Sequence, residues 1–280
     1  MRWRRVLALL SLSGRRAAAL GPALGRREML LVSAGSAVAP TSAGAMWQMW
    51  QPSDMLSYVD QYSVRGDAES VLKAMDKCAE TSWMMNMGKE KGELLEEAFR
   101  TKKRILEIGT FLSYSTMRIA RSMPADARLL TVEIDSDNYK AAREIMERAL
   151  PESVLKRVEA VNAPADKIIS QRTKPFDAVL MDHWKADYAK DLEALVKRGL
   201  LQDGALVVAD NVLFPGAPEL LDYLRVPFDR AQDDVSGQPC LLVKEDREFR
   251  SPNFMTTLVR SPFEYRPETP DGLTFSTYIK

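Results

Sequence analysis

The chain has 280 residues, 46% hydrophobic and 28% charged, a globular composition long enough for one large or two small domains. Its formal charge is zero, but residues 1–27 hold seven arginines and no acid, leaving 32 basic against 39 acidic residues beyond them; an acidic body argues against a nucleic-acid surface. Cys78 and Cys240 have no CxxC or zinc-ligand spacing, which excludes a cysteine-built metal site or a disulfide framework, and no apolar run reaches the roughly 18–20 residues of a confident transmembrane helix.

Residues 1–45 read as a targeting segment. Arg2, Arg4, Arg5, Arg15 and Arg16 alternate with Leu and Ala, with no acid before Glu28, as in organellar transit peptides. A second unit follows, with Arg26-Arg27, an apolar core at residues 29–39 and the A-x-A-like Ala43-Gly44-Ala45, the pattern of a bacterial-type export signal. Together they resemble a bipartite plastid peptide directed to the thylakoid lumen. A mitochondrial presequence, a weak membrane anchor and a cytoplasmic location stay open.

From residue 51 to 100 the pattern is helical. Met55, Tyr58, Val59 and Tyr62 share one face, Asp67 can cap a helix carrying Val71, Leu72, Met75 and Cys78, and Leu94, Leu95 and Phe99 mark a third helix. Between the last two, Trp83-Met84-Met85-Asn86-Met87-Gly88 stacks Trp and Met outside any periodicity, which by itself reads more readily as core packing than as a binding element.

An alternating βα pattern begins at residue 104. Strands are expected at 105–109, 129–134, 154–161, 176–181 and 205–209, separated by helices at 113–121, 139–150, 166–170 and 188–197. Such alternation implies a Rossmann-like, doubly wound α/β fold with a mostly parallel sheet and right-handed crossovers. Residues 226–253 loosen into a Pro- and Asp-containing insertion with one possible strand at 240–243. The tail alternates in places and suggests a C-terminal antiparallel hairpin turning at Pro270-Asp271-Gly272.

Two of these strands end in chemistry. Phe176-Asp177-Ala178-Val179-Leu180-Met181 runs into Asp182, and Ala205-Leu206-Val207-Val208-Ala209 runs into Asp210 and Asn211. Continuous apolar runs suit strands buried on both faces of a parallel sheet, whose ligands sit beyond the strands' carboxyl ends. Two carboxylates and an amide oxygen are hard ligands suited to Mg²⁺. Lys185, three residues past the first carboxylate, would stand beside that ion as a base or a charge. The competing reading is helix capping by strand-end Asp and Asn. His183 is the only histidine, and Lys185 fills the acid–base role better.

The loop after the first strand, Glu107-Ile108-Gly109-Thr110-Phe111-Leu112-Ser113-Tyr114-Ser115, holds the nucleotide-binding position of such folds. No GxGxxG fingerprint is present, which disfavours hydride transfer to a nicotinamide. Glu133, ending the second strand 24 residues after Gly109, suits two ribose hydroxyls; Asp135 competes for that role.

Asp182-His183-Trp184-Lys185 and Ala209-Asp210-Asn211-Val212 closely resemble the catechol O-methyltransferase family, over about residues 54–225 and a short piece near the C-terminus. The resemblance implies methyl transfer from S-adenosylmethionine to one hydroxyl of a catechol or other polyphenol, with Mg²⁺, by a monomeric single domain spanning 51–280. Asp182, Asp210 and Asn211 would hold the metal, and Lys185 and Glu264 would be catalytic. Lys185 would take the hydroxyl proton, provided burial and a neighbouring cation disfavour its charged form. Met85, Met87, Glu107, Gly109, Ser115, Glu133, His183 and Trp184 would line the methyl donor. Trp83, Asp182, Lys185, Asn211 and Glu264 would meet the substrate. The chain departs from the family at Ser113, where the loop pattern has a second glycine, and at Pro164, where the family has an adenine-contacting serine. Two other readings stay open: a caffeoyl-type polyphenol methyltransferase, and a methyltransferase-fold assembly protein in an organelle.

Overall fold

Three amphipathic helices lead into the sheet: α1 (Pro52–Tyr62), α2 (Ala68–Thr81) and α3 (Gly88–Phe99). Met55, Val59, Val71, Leu72, Met75, Cys78, Leu95 and Phe99 are buried as expected, whereas Tyr62, at the end of the first face, is exposed. Asp67 starts α2 by accepting the backbone N–H groups of Glu69 and Ser70 at 3.0 and 3.1 Å. These elements come from a computed structural model that describes residues 51–81, 84–227 and 242–280. The expected targeting segment, Trp83, Cys240 and residues 228–241, half of the expected insertion, lie outside the described residues. Among those described, no helix is long and apolar enough to cross a membrane.

The βα alternation follows: β1 (Arg104–Ile108), α4 (Tyr114–Ser122), β2 (Arg128–Glu133), α5 (Ser136–Ala149), α6 (Glu152–Leu155), β3 (Val158–Asn162), α7 (Ala165–Gln171) and β4 (Phe176–Met181). A single 3₁₀ turn at Lys185–Asp187 leads into α8 (Tyr188–Lys197), followed by β5 (Leu201–Ala209), α9 (Pro218–Tyr223), β6 (Val243–Arg250), β7 (Phe254–Phe263) and β8 (Arg266–Tyr278). The sheet order is β3-β2-β1-β4-β5-β8-β7-β6. The first five strands are parallel and the last three antiparallel to their neighbours. The fold class is therefore the expected Rossmann-like α/β one. Two apolar layers cover the sheet. One includes Met75, Leu95, Met117 and Ile145; the other includes Ile168, Leu192, Leu195 and Leu221.

Strand order reverses between β1 and β4, and the loops after those strands converge there. In open α/β sheets that crevice is where ligands bind.

Two local expectations shift. The third strand begins at Val158, not at 154, because residues 152–155 form α6 after Pro151. The hairpin turns at Glu264-Tyr265, and Pro270-Asp271-Gly272 lies inside β8, with Pro262 opposite Pro270 and Ser261 opposite Asp271. Asp135 proves to be the cap of α5, accepting the N–H groups of Asp137 and Asn138 at 2.9 and 2.8 Å.

Candidate functional site

The loop between β1 and α4 is built by backbone geometry. Gly109 has φ +99°, and a Cβ there would fall 2.1 Å from the carbonyl oxygen of Asp182, so the loop passes directly against the end of β4. Ser113 precedes α4 with φ +65°, the left-handed region that favours glycine. Its buried hydroxyl has no hydrogen-bond partner. Beneath the loop, Glu107 is fully buried and accepts hydrogen bonds from Ser115 Oγ at 2.5 Å and Thr116 Oγ1 at 2.6 Å. Burial pushes its carboxyl up to about 7, against the opposing pull of the Ser115, Thr116 and Thr131 hydroxyls.

Glu133 ends β2 with both oxygens engaged. Oε2 accepts the N–H of Phe111 at 2.7 Å and Oε1 that of Asp135 at 2.9 Å. The carboxylate is thus pinned between the β1 loop and its own strand end, and each oxygen keeps capacity for a further donor. Ile134 and Trp184, which follow β2 and β4, are 71% and 66% exposed, and Met85 is 50% exposed. Ile134 and Trp184 thus stand exposed just beyond the carboxyl ends of β2 and β4. Met87 is buried next to α3.

The ends of β4 and β5 bring the acidic groups together. Asp182 Oδ1 accepts from Lys185 Nζ at 2.9 Å. Lys185 Nζ also donates to the Tyr188 hydroxyl at 2.7 Å, and that hydroxyl donates to the Asp210 carbonyl at 3.2 Å. Asp210 is fully buried; its Oδ1 accepts from Lys91 Nζ and from the N–H of Asn211, both at 2.8 Å, while Oδ2 has no partner. Asn211, with φ +56°, donates from Nδ2 to Glu264 Oε1 at 2.9 Å and to Asp271 Oδ2 at 2.8 Å. The hairpin turn thereby carries Glu264 to the end of β5, with Oε2 buried and unpartnered. His183 does not join this group. Its Nε2 pairs with Asp191 of α8 at 3.0 Å.

Burial raises the carboxyl groups of Asp182, Glu264 and Asp271 above the ordinary carboxylate range, and repulsion from Asp210 adds to this in each; Lys185 opposes it at Asp182, and Lys91 at Glu264 and Asp271. Burial alone would lower Lys91, but the carboxylates of Asp210, Asp271 and Glu264 more than offset it and hold the ammonium well above its usual value. Four carboxyl groups thus face the side-chain nitrogens of two lysines, Lys91 and Lys185.

Among the described residues no three His, Cys, Asp or Glu side chains are grouped to hold a metal ion. The set here is two carboxylates and an amide, so the test is which oxygens are left. Asp210 Oδ2 is orphaned in a buried place. Asn211 spends both amide hydrogens on carboxylates, which leaves its carbonyl oxygen for another partner. Hard oxygen donors beside an excess of negative charge fit a divalent cation. Sequence reasoning missed Lys91, Asp271 and Tyr188, which tie these side chains together. It did bring Asp182, Lys185, Asp210, Asn211 and Glu264 into one cluster.

A family model described as O-methyltransferase matches residues 62–222. Catechol O-methyltransferase B of Danio rerio is 38% identical over 182 residues, covering 62% of this chain and 68% of that protein. Catechol O-methyltransferase of Mus musculus is 36% identical over 179 residues, covering 61% and 66%. The chain spans about two thirds of the length of these curated relatives. Among solved structures, an O-methyltransferase of tomaymycin synthesis from Streptomyces achromogenes, in complex with SAM, is 25% identical with a TM-score of 0.56, covering 81% of this chain and 96% of that one.

Proposed function

The chain belongs to the O-methyltransferase family, and from that premise we propose that it transfers a methyl group from S-adenosylmethionine to one hydroxyl of a catechol-type diphenol in a Mg²⁺-dependent reaction. The observation that carries this reading is the cluster at the ends of β4 and β5. There an orphaned Asp210 oxygen, the Asn211 carbonyl and the Asp182 carboxylate lie with Lys185 on one side and Glu264 on the other.

When bound, Mg²⁺ supplies a cation that favours the ionised form of a phenol, and S-adenosylmethionine supplies the methyl group. Asp182, Asp210 and Asn211 would hold the metal, and Lys185 Nζ, in its neutral form, would accept the hydroxyl proton. Tyr188 fixes that nitrogen, since its hydroxyl bridges Lys185 to the backbone of Asp210. Glu264 Oε2, buried and unpartnered, takes the second hydroxyl and sets which oxygen is methylated. Glu133 binds the ribose hydroxyls, Glu107 and Ser115 brace the loop around the methyl donor with Gly109, and Met85, Met87, His183 and Trp184 line it. Asp182, Lys185, Asn211 and Trp83 complete the substrate side. The acting unit is a monomer, one domain over 51–280 with an insertion at about 226–253, preceded by an organelle-targeting segment over 1–45.

Calorimetric titration tests this. Catechol should bind only when both S-adenosylmethionine and Mg²⁺ are present. Equal affinity in EDTA would remove the metal from substrate binding.

A further inference from the structure

Asp271 is fully buried, lies in the middle of β8, and is given no role of its own in the methyl-transfer reading. Each of its oxygens is nonetheless committed. Oδ1 accepts the N–H of Phe214 at 3.0 Å. Oδ2 accepts from Lys91 Nζ at 2.6 Å and from Asn211 Nδ2 at 2.8 Å. Lys91, 2% exposed, then bridges across to Asp210 Oδ1 at 2.8 Å.

The consequence falls on Asn211. A side-chain amide has a donor end and an acceptor end, and only the acceptor can face a cation. Two carboxylates, Asp271 and Glu264, stand against one end of this amide. A flipped amide would set its carbonyl oxygen against both, with two hydrogen bonds to charged acceptors lost. The same framework engages Asp210 Oδ1 from behind and leaves Oδ2 as that residue's buried free oxygen.

We propose that Asp271, tied to Asp210 through Lys91, is a positioning residue that turns the Asn211 carbonyl toward the divalent cation. The proposal rests on the metal reading above, and the test separates the two. Mn²⁺ serves as the probe, because its free-ion EPR signal falls as the protein takes it up. Wild-type protein with S-adenosylmethionine should bind Mn²⁺, and Asp271→Asn should bind it at least tenfold more weakly while unfolding cooperatively on heating. The exchange variant Asn211→Asp/Asp271→Asn keeps the net charge and puts an amide donor opposite a carboxylate. It should regain at least threefold of the lost affinity beyond the gain that Asn211→Asp alone brings through its added charge, which a merely structural role would not produce. If Asp271→Asn does not fold, Asp271→Ser, which removes the carboxylate and leaves room for water, should show the same loss. Undiminished Mn²⁺ affinity in the folded variant, or no gain in the exchange variant, overturns the positioning role alone. Wild-type protein that takes up no Mn²⁺ overturns the metal reading and this proposal with it.

Discussion

The carbonyl oxygen of Asp182 occupies the place a side chain on Gly109 would need: a Cβ there would sit 2.1 Å away. One turn of backbone after β1 is therefore fitted against the strand end that carries the first carboxylate, and the nucleotide loop and the acidic cluster share a wall. Both clashing partners are backbone, so no rotamer change relieves them. Gly109→Ala should cost at least about 3 kcal/mol, well beyond an ordinary surface Gly→Ala change. Chemical denaturation measures it, and a loss under about 1 kcal/mol would mean that the loop can withdraw.

Ser113 is the opposite case. It holds a left-handed conformation with a Cβ it does not need, and its buried hydroxyl has no hydrogen-bond partner. Ser113→Gly removes a strain of about 1–2 kcal/mol and a buried unsatisfied group, against the added chain entropy of glycine. The variant should be more stable by about 1 kcal/mol and bind S-adenosylmethionine at least as well. A lower melting temperature would show that the serine makes a contact worth more than the strain.

How much of this was legible follows from where each signal sits. Asp182, Asp210 and Asn211 were readable because each directly ends an apolar run that could only be a buried strand. Lys91 was not. It lies in Gly88-Lys89-Glu90-Lys91-Gly92-Glu93, which has the look of a solvated helix turn, and its partners are 119 and 180 residues away in the chain. Asp271 was misread for a related reason. Pro-Asp-Gly is a strong local turn signal, but Lys91, Asn211 and the Phe214 N–H hold the carboxylate inside β8, and the turn passes to Glu264, whose φ is +34°. At Lys91 the helix formed as its sequence suggests and distant carboxylates drew the side chain inward, whereas at Asp271 tertiary electrostatics overrode the local turn propensity. The helix α6, with Pro151 just before it and Glu152 in its first turn, displaced the start of β3 in a segment that otherwise reads as strand.

Glu107 gives a pH signature. Its carboxyl rises from 4.5 to about 7 through burial, so the folded protein holds this proton more tightly than the unfolded chain. Its contribution to stability is fully present below about pH 4.5 and is lost as pH rises to about 7. The size is on the order of 3 kcal/mol across that window. Glu107→Gln removes the titration, so the wild-type-minus-variant difference in unfolding free energy should fall between these pH values and be flat above them. Parallel stability curves would place the Glu107 carboxyl near its unfolded value.

Lys185 donates to Asp182 and to Tyr188 at 2.9 and 2.7 Å. Lys185→Arg keeps the positive charge but cannot accept a proton near neutrality. It should bind S-adenosylmethionine and catechol as the wild type does, yet lose roughly 10²–10⁴-fold in the methyl-transfer rate. Single-turnover kinetics distinguish this from slow product release. A near wild-type rate would reduce Lys185 to a source of charge.

The central claim is that the oxygens at the ends of β4 and β5 serve a divalent cation in methyl transfer to a diphenol. The direct measurement is the rate at which wild-type protein forms monomethylated catechol from S-adenosylmethionine, first in EDTA and then as Mg²⁺ is added back. The account predicts no turnover in EDTA, recovery that saturates with Mg²⁺, and no methylation of phenol, which has a single hydroxyl. Full activity in EDTA would contradict it.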